Sequence, residues 1–176
     1  MIFRLTQKLA KKIGITPLQS LPLDRNPFAD WSAHLFIAQR VQYIIMTNTP
    51  SLYSMVMYGR GIPDDNQFVQ SALTYMSQFM TDNGLEFLFH RLIAPRTGTI
   101  SFSKTTDRRV LGSINELVFQ AKVLLVENEM SPFEASLFLN ETPMSYLGYS
   151  NPMQAFKSLS IKEQGGYNNR IDTDEE

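Results

Sequence analysis

Four cations fall within one short stretch of the chain, Arg96, Lys104, Arg108 and Arg109. The stretch 96–116 reads as a single strand, turn and helix. The turn Thr105-Thr106-Asp107 leads into Arg108-Arg109, and Gly112-Ser113 precede an apolar helical stripe. Ser113-Ile114-Asn115-Glu116 has the spacing of a capping box, in which the serine and glutamate side chains satisfy each other's backbone N–H groups. A helix start offers free N–H groups and positive potential. With glycine for close approach, two guanidinium forks and nearby hydroxyls, these are the ingredients of an anion site. The fitting ligand is a phosphate, of a nucleotide or of a nucleic-acid backbone. The plain structural alternative is a solvated arginine pair beside an ordinary helix whose cap already uses Ser113.

Other residues with chemical potential are sparse. His34 and His90 are the two histidines, whereas a zinc site or a catalytic triad needs several ligands or a partnered base. His34 falls on a strand, on the side that carries Ser32, and His90 on an apolar helix beside Arg91. Trp31, the lone tryptophan, follows Pro27 and reads as an anchor under a proline-rich loop. The carboxylates are scattered: Asp64 and Asp65 suit a helix start, and Glu127 and Glu129 a helix end. The chain has no P-loop, dinucleotide fingerprint, His-Glu-x-x-His or Gly-x-Ser-x-Gly pattern, and Gly59-Arg60-Gly61 reads as a turn. No cofactor or metal is expected.

The elements that must position these residues follow from periodicity. The chain has 176 residues, 43% hydrophobic and 11% aromatic, enough for one packed domain without disulfide or metal. Residues 2–6 suit a short strand, and the next helix stops at Gly14. A proline-bearing stretch follows over 15–27. Trp31, Ala33, Leu35 and Ile37 alternate with Ser32 and His34, with Phe36 as an apolar exception, which predicts a strand. Gln39-Arg40 suits a tight connection to a strand over 42–47, and a third strand over 52–58 completes an antiparallel meander. Helices are expected over about 65–82, 85–93 and 114–128, and after the Asn151 cap with Pro152 at the first helical position. A strand is expected over 99–104, and residues 130–150 read as a loop-rich excursion packed on the body.

The expected architecture is a single α+β domain over 1–160, a small antiparallel sheet covered on one face by the 65–82 and 114–128 helices. A disordered acidic tail is expected over 161–176. With a net charge of −1 and no cysteine, the chain has no global basic field, no thiolate chemistry and no Cys-based metal site. No leader-like apolar region or membrane-length span is present, so the expected location is the cytoplasm, away from membranes.

Arg108-Arg109-Val110-Leu111-Gly112-Ser113-Ile114-Asn115-Glu116-Leu117, together with Asp30-Trp31-Ser32-Ala33-His34-Leu35, Tyr43-Ile44-Ile45-Met46-Thr47-Asn48 and the Leu5–Leu9 start, resembles an uncharacterised bacterial family, a domain of unknown function. The resemblance covers most of residues 1–160 and implies an intact domain without implying an activity. The leading expectation is a non-enzymatic binding or regulatory module, holding a nucleic acid or nucleotide phosphate through Arg96, Lys104, Arg108, Arg109 and Ser113. The alternatives are a phosphate-chemistry enzyme such as a nuclease or hydrolase, and a protein-interaction subunit of the immunity or antitoxin kind.

Overall fold

A computed structural model describes residues 1–16 and 18–161. The acidic tail expected over 161–176 lies, from residue 162 on, outside the described residues. Five strands form one sheet in the order β4-β3-β2-β1-β5. They are β1 Ile2–Leu5, β2 Asp30–Ala38, β3 Val41–Asn48, β4 Ser54–Tyr58 and β5 Ser101–Lys104.

β2, β3 and β4 are the expected antiparallel meander. The β2–β3 connection is the two-residue turn Gln39-Arg40, with φ of 44° and 67°, the backbone twist a tight hairpin requires. The sheet as a whole is mixed: β1 pairs in parallel with both β2 and β5. A parallel neighbour needs a long crossover. Helix α1, Gln7–Ile13, together with the proline-bearing loop, supplies the one from β1 to β2. The fold class is therefore α+β as expected, and the correction concerns strand direction.

Helices cover both faces of the sheet, where the sequence suggested one. Phe68, Ala72, Met76 and Phe79 of α2 (Asp65–Asp82) pack with α1 against Trp31, Ala33, Ile44 and Met46. Ile114, Leu117 and Ala121 of α4 (Arg108–Val126) pack against Phe36, Ile45 and Val56 on the opposite face. Alternate strand residues thus serve two cores. This is why Phe36 broke the polar side of the β2 pattern: its face is buried as well.

Two helix starts differ from expectation. α4 begins at Arg108, because Asp107 caps it by accepting from the N–H groups of Arg109 and Val110, at 2.8 and 3.3 Å. Ser113 lies inside the helix, where its hydroxyl donates to the Arg109 carbonyl at 3.0 Å. The capping box belongs to α5, Pro132–Glu141, through Ser131 and Glu134. This helix replaces much of the excursion expected over 130–150, with Pro132 at the first helical position, where its missing N–H costs nothing. α5 also covers the edge strand β4: Asn140 accepts from the Ser54 N–H at 2.7 Å and donates to its carbonyl at 2.8 Å, while Ser136 accepts from the Val56 N–H at 2.8 Å. The expected 85–93 helix is a short α3, Glu86–Leu88, continued by a π-helical turn Phe89–Ile93. Asn151 caps α6, Pro152–Lys157, as expected.

Candidate functional site

Of the 96–116 run, Arg96 lies at one end of β5 and Lys104, Arg108 and Arg109 at the other. Arg96, beyond the N-terminal end of β5, pairs with Asp24 at 3.4 Å. Lys104 closes the other end of that strand, with Arg108 and Arg109 just past it, all exposed. The Arg109 guanidinium lies over the Tyr146 ring, 5.3 Å from its centroid. The α4 start already holds the Asp107 carboxylate, and Ser113 is committed inside the helix. The hollow beside this helix start, about 380 Å³, is lined by Arg4, Thr105, Asp107 and Tyr146.

Arg4 is spent on structure. Its Nε and Nη2 donate to the two Asp30 carboxylate oxygens, each at 2.8 Å. Nη1 donates to the Leu21 carbonyl and the Ser103 hydroxyl, and Nη2 also to the Pro22 carbonyl. All five guanidinium N–H groups thereby have acceptors. Arg4 stands in a polar row that crosses the whole sheet in register, Ser54, Thr47, Ser32, Arg4 and Ser103. Every member is buried. The row is closed by Thr47–Ser54 and Ser32–Thr49 hydroxyl pairs at 2.8 and 3.0 Å.

Trp31 is buried, and its indole N–H donates to the Phe28 carbonyl at 2.8 Å. It is a core anchor. His90 is exposed, 3.6 Å from Glu86 on the same helical face. Among the described residues no three His, Asp or Glu side chains gather as a metal site. His34 is buried on the α4 side of the sheet, and its Nε2 has no hydrogen-bond partner among the described residues. Burial lowers its pKa to about 4 from 6.5. The unfolded chain therefore takes up this proton first as the pH falls. The stability that neutral His34 supplies above pH 6.5 is lost as the pH drops towards about 4. The loss should reach about 3 kcal/mol, read as the difference in urea-unfolding free energy between wild type and His34→Gln followed across that window. Parallel pH profiles for the two proteins would refute it.

A second basic group gathers from residues far apart in sequence. A groove of about 750 Å³ at the hairpin end of the sheet is lined by Lys12 of α1, Arg40 of the β2–β3 turn and Arg60 of the turn after β4, with Gln42 and Tyr58. Gln42 holds the Lys12 ammonium at 3.0 Å. Gly59 donates its N–H to the Gln42 carbonyl at 2.8 Å, which extends the β3–β4 ladder and brings Arg60 opposite Val41, next to the Gln39-Arg40 turn. A Cβ at Gly59 would meet the Ile44 side chain at 3.3 Å and the Gln42 backbone at 3.4 Å, so the two strands approach closely here. Phe36, Tyr43 and Tyr58 stack across three strands, with centroids 5.5 and 5.4 Å apart. Burial, then the Tyr58 phenol, push the Tyr43 hydroxyl above its usual pKa. Tyr58, at the end of the ladder, is 58% exposed. Among the described residues lining this groove none is acidic.

Fold and groove together define an α+β domain on a mixed five-stranded sheet with a basic groove at one end. The chain belongs to the family described as a domain of unknown function, DUF6933, whose model matches residues 2–155. No match was found among curated proteins or among solved structures. No helix among the described residues is long and apolar enough to cross a membrane.

Proposed function

We propose that the domain is a non-enzymatic binding module for an anionic ligand, a nucleic-acid or nucleotide phosphate, and that it binds in the groove formed by Lys12, Arg40 and Arg60. The observation that carries this reading is the convergence of three cations from three separate elements with no acidic residue among the described residues that line the groove. An ordinary solvated surface mixes both signs, whereas a one-sign cleft focuses potential and draws in the opposite charge. Among the described residues lining the groove there is no imidazole or carboxylate to serve as a base, which favours binding over catalysis. The ligand class is the one suggested by the 96–116 run, and the location differs because β5 parts Arg96 from Lys104, Arg108 and Arg109 and the α4 start is already capped by Asp107. With such a ligand the proposed location is the cytoplasm, and a cysteine-free chain is compatible with a reducing compartment.

Labelled single- and double-stranded DNA and RNA, titrated with the full chain and followed by anisotropy, test this. Replacing Lys12, Arg40 and Arg60 together by alanine should weaken binding by roughly 100-fold or more, since each charge-assisted contact contributes about 1.5–3 kcal/mol. Replacing Arg108 and Arg109 should change it less than about threefold by comparison. The opposite ranking would return the site to the α4 start, and no binding at all would overturn the module.

A further inference from the structure

Tyr58 also walls a second groove, of about 790 Å³, between α2 and the start of α5. Its character is the reverse of the first. Gln67, Gln70, Thr74 and Gln78 form one stripe along α2, Phe133 faces them from α5, and no charged residue is among the described residues lining it. Two of the glutamines are held in place: Gln67 Nε2 donates to the Ser71 hydroxyl at 3.1 Å, and Gln78 Nε2 to Asp82 at 2.9 Å. The two grooves meet over a single exposed aromatic ring, with cations on one side and neutral amides and apolar surface on the other.

A nucleotide unit has the same division, with an anionic phosphate at one end and a flat base edged with hydrogen-bonding groups at the other. Primary amides suit base edges because they offer donor and acceptor together. A tyrosine whose second ring face is already packed offers a rigid stacking platform. Duplexes hide base faces inside the stack, so only an unpaired strand can use such a platform.

Resting on the anion-binding reading, we infer that the ligand is a single-stranded nucleic acid whose phosphates lie along Lys12, Arg40 and Arg60 while a base stacks at Tyr58 and is contacted by the α2 glutamines. The two grooves act as one continuous site. Charge complementarity sets its polarity, and the shared Tyr58 marks where backbone gives way to base.

The test compares the full chain's affinity for a short single-stranded oligonucleotide with that for an abasic strand of the same length and charge. The expected ratio is about tenfold or more in favour of the base-bearing strand, the range found for one stacked base. Tyr58→Leu should bring the ratio close to one, and Gln70→Ala, at an exposed position that folding tolerates, should lower it severalfold. Equal binding of the two strands, both lost in the Lys12, Arg40 and Arg60 variant, would overturn this inference and leave the anion-binding reading standing. A ratio unmoved by both Tyr58→Leu and Gln70→Ala would also overturn it. Binding of neither strand would overturn both.

Discussion

Arg4→Ala should destabilise the domain by about 3–5 kcal/mol, the usual cost of stranding one member of a buried ion pair. Arg4 and Asp30 are 4% and 1% exposed. Removing the guanidinium leaves the Asp30 carboxylate with the Asp24 N–H, at 2.9 Å, as its remaining donor among the described residues. The Leu21 and Pro22 carbonyls lose their donor at the same time. The damage therefore spreads to the proline-bearing loop that carries the chain from α1 to β2. Urea unfolding of the variant should show a clear fall in midpoint, and Asp30→Ala, which strands the guanidinium instead, should be at least as costly. A loss below about 1 kcal/mol in both would contradict the role assigned to the pair, because that is the range of exposed pairs.

Trp31→Ala is expected to cost about 3–5 kcal/mol by a different route, the cavity left by a large fully buried ring. Trp31 packs edge-on against Tyr53 and Phe156, with centroids 6.5 and 6.0 Å away. Phe156 in turn stacks on Tyr53 at 4.5 Å and meets Phe28 at 5.2 Å. One ring thus ties the β2 start to α6, so the variant should lose α6 docking as well as global stability. Amide hydrogen exchange across Pro152–Lys157 should accelerate with the fall in unfolding midpoint. Trp31→Phe keeps most of the bulk and should lose markedly less. Equal losses for the two would mean that the indole N–H bond to Phe28, rather than packing, dominates.

These two residues show unequally in the sequence. Trp31 was legible as an anchor because a lone large aromatic beyond a proline-rich loop has few other uses. Arg4 gave no signal, because an arginine in a four-residue strand reads as an edge charge until a partner 26 positions away is known. The meander was readable from period-two alternation and the Gln39-Arg40 turn. The parallel pairing of β1 was not, since partner choice between distant strands leaves no local pattern. α5 was obscured by Pro132, which reads as a breaker unless Ser131 and Glu134 are taken together as its cap.

The site follows the same logic. Arg96 and Lys104 are near in sequence, yet β5 lies between them, and Asp24, remote in sequence, takes up Arg96. Lys12, Arg40 and Arg60 span the first third of the chain and join only through strand register. The usable signal was the pairing of two strands that each carry a tyrosine: with Tyr43 opposite Tyr58, the next positions outward bring Arg60 beside the turn that holds Arg40. Lys12 had no such signal, because its place depends on how α1 crosses the sheet.

The most direct measurement is the affinity of the full chain for a labelled single-stranded oligonucleotide across a salt series. Neutralising three phosphates on a single strand predicts a slope of log affinity on log salt of about −2. The slope should flatten towards zero when Lys12, Arg40 and Arg60 are replaced by alanine. A flat slope in the wild type, or an undiminished slope in the variant, would contradict the groove as the site where the anion is held.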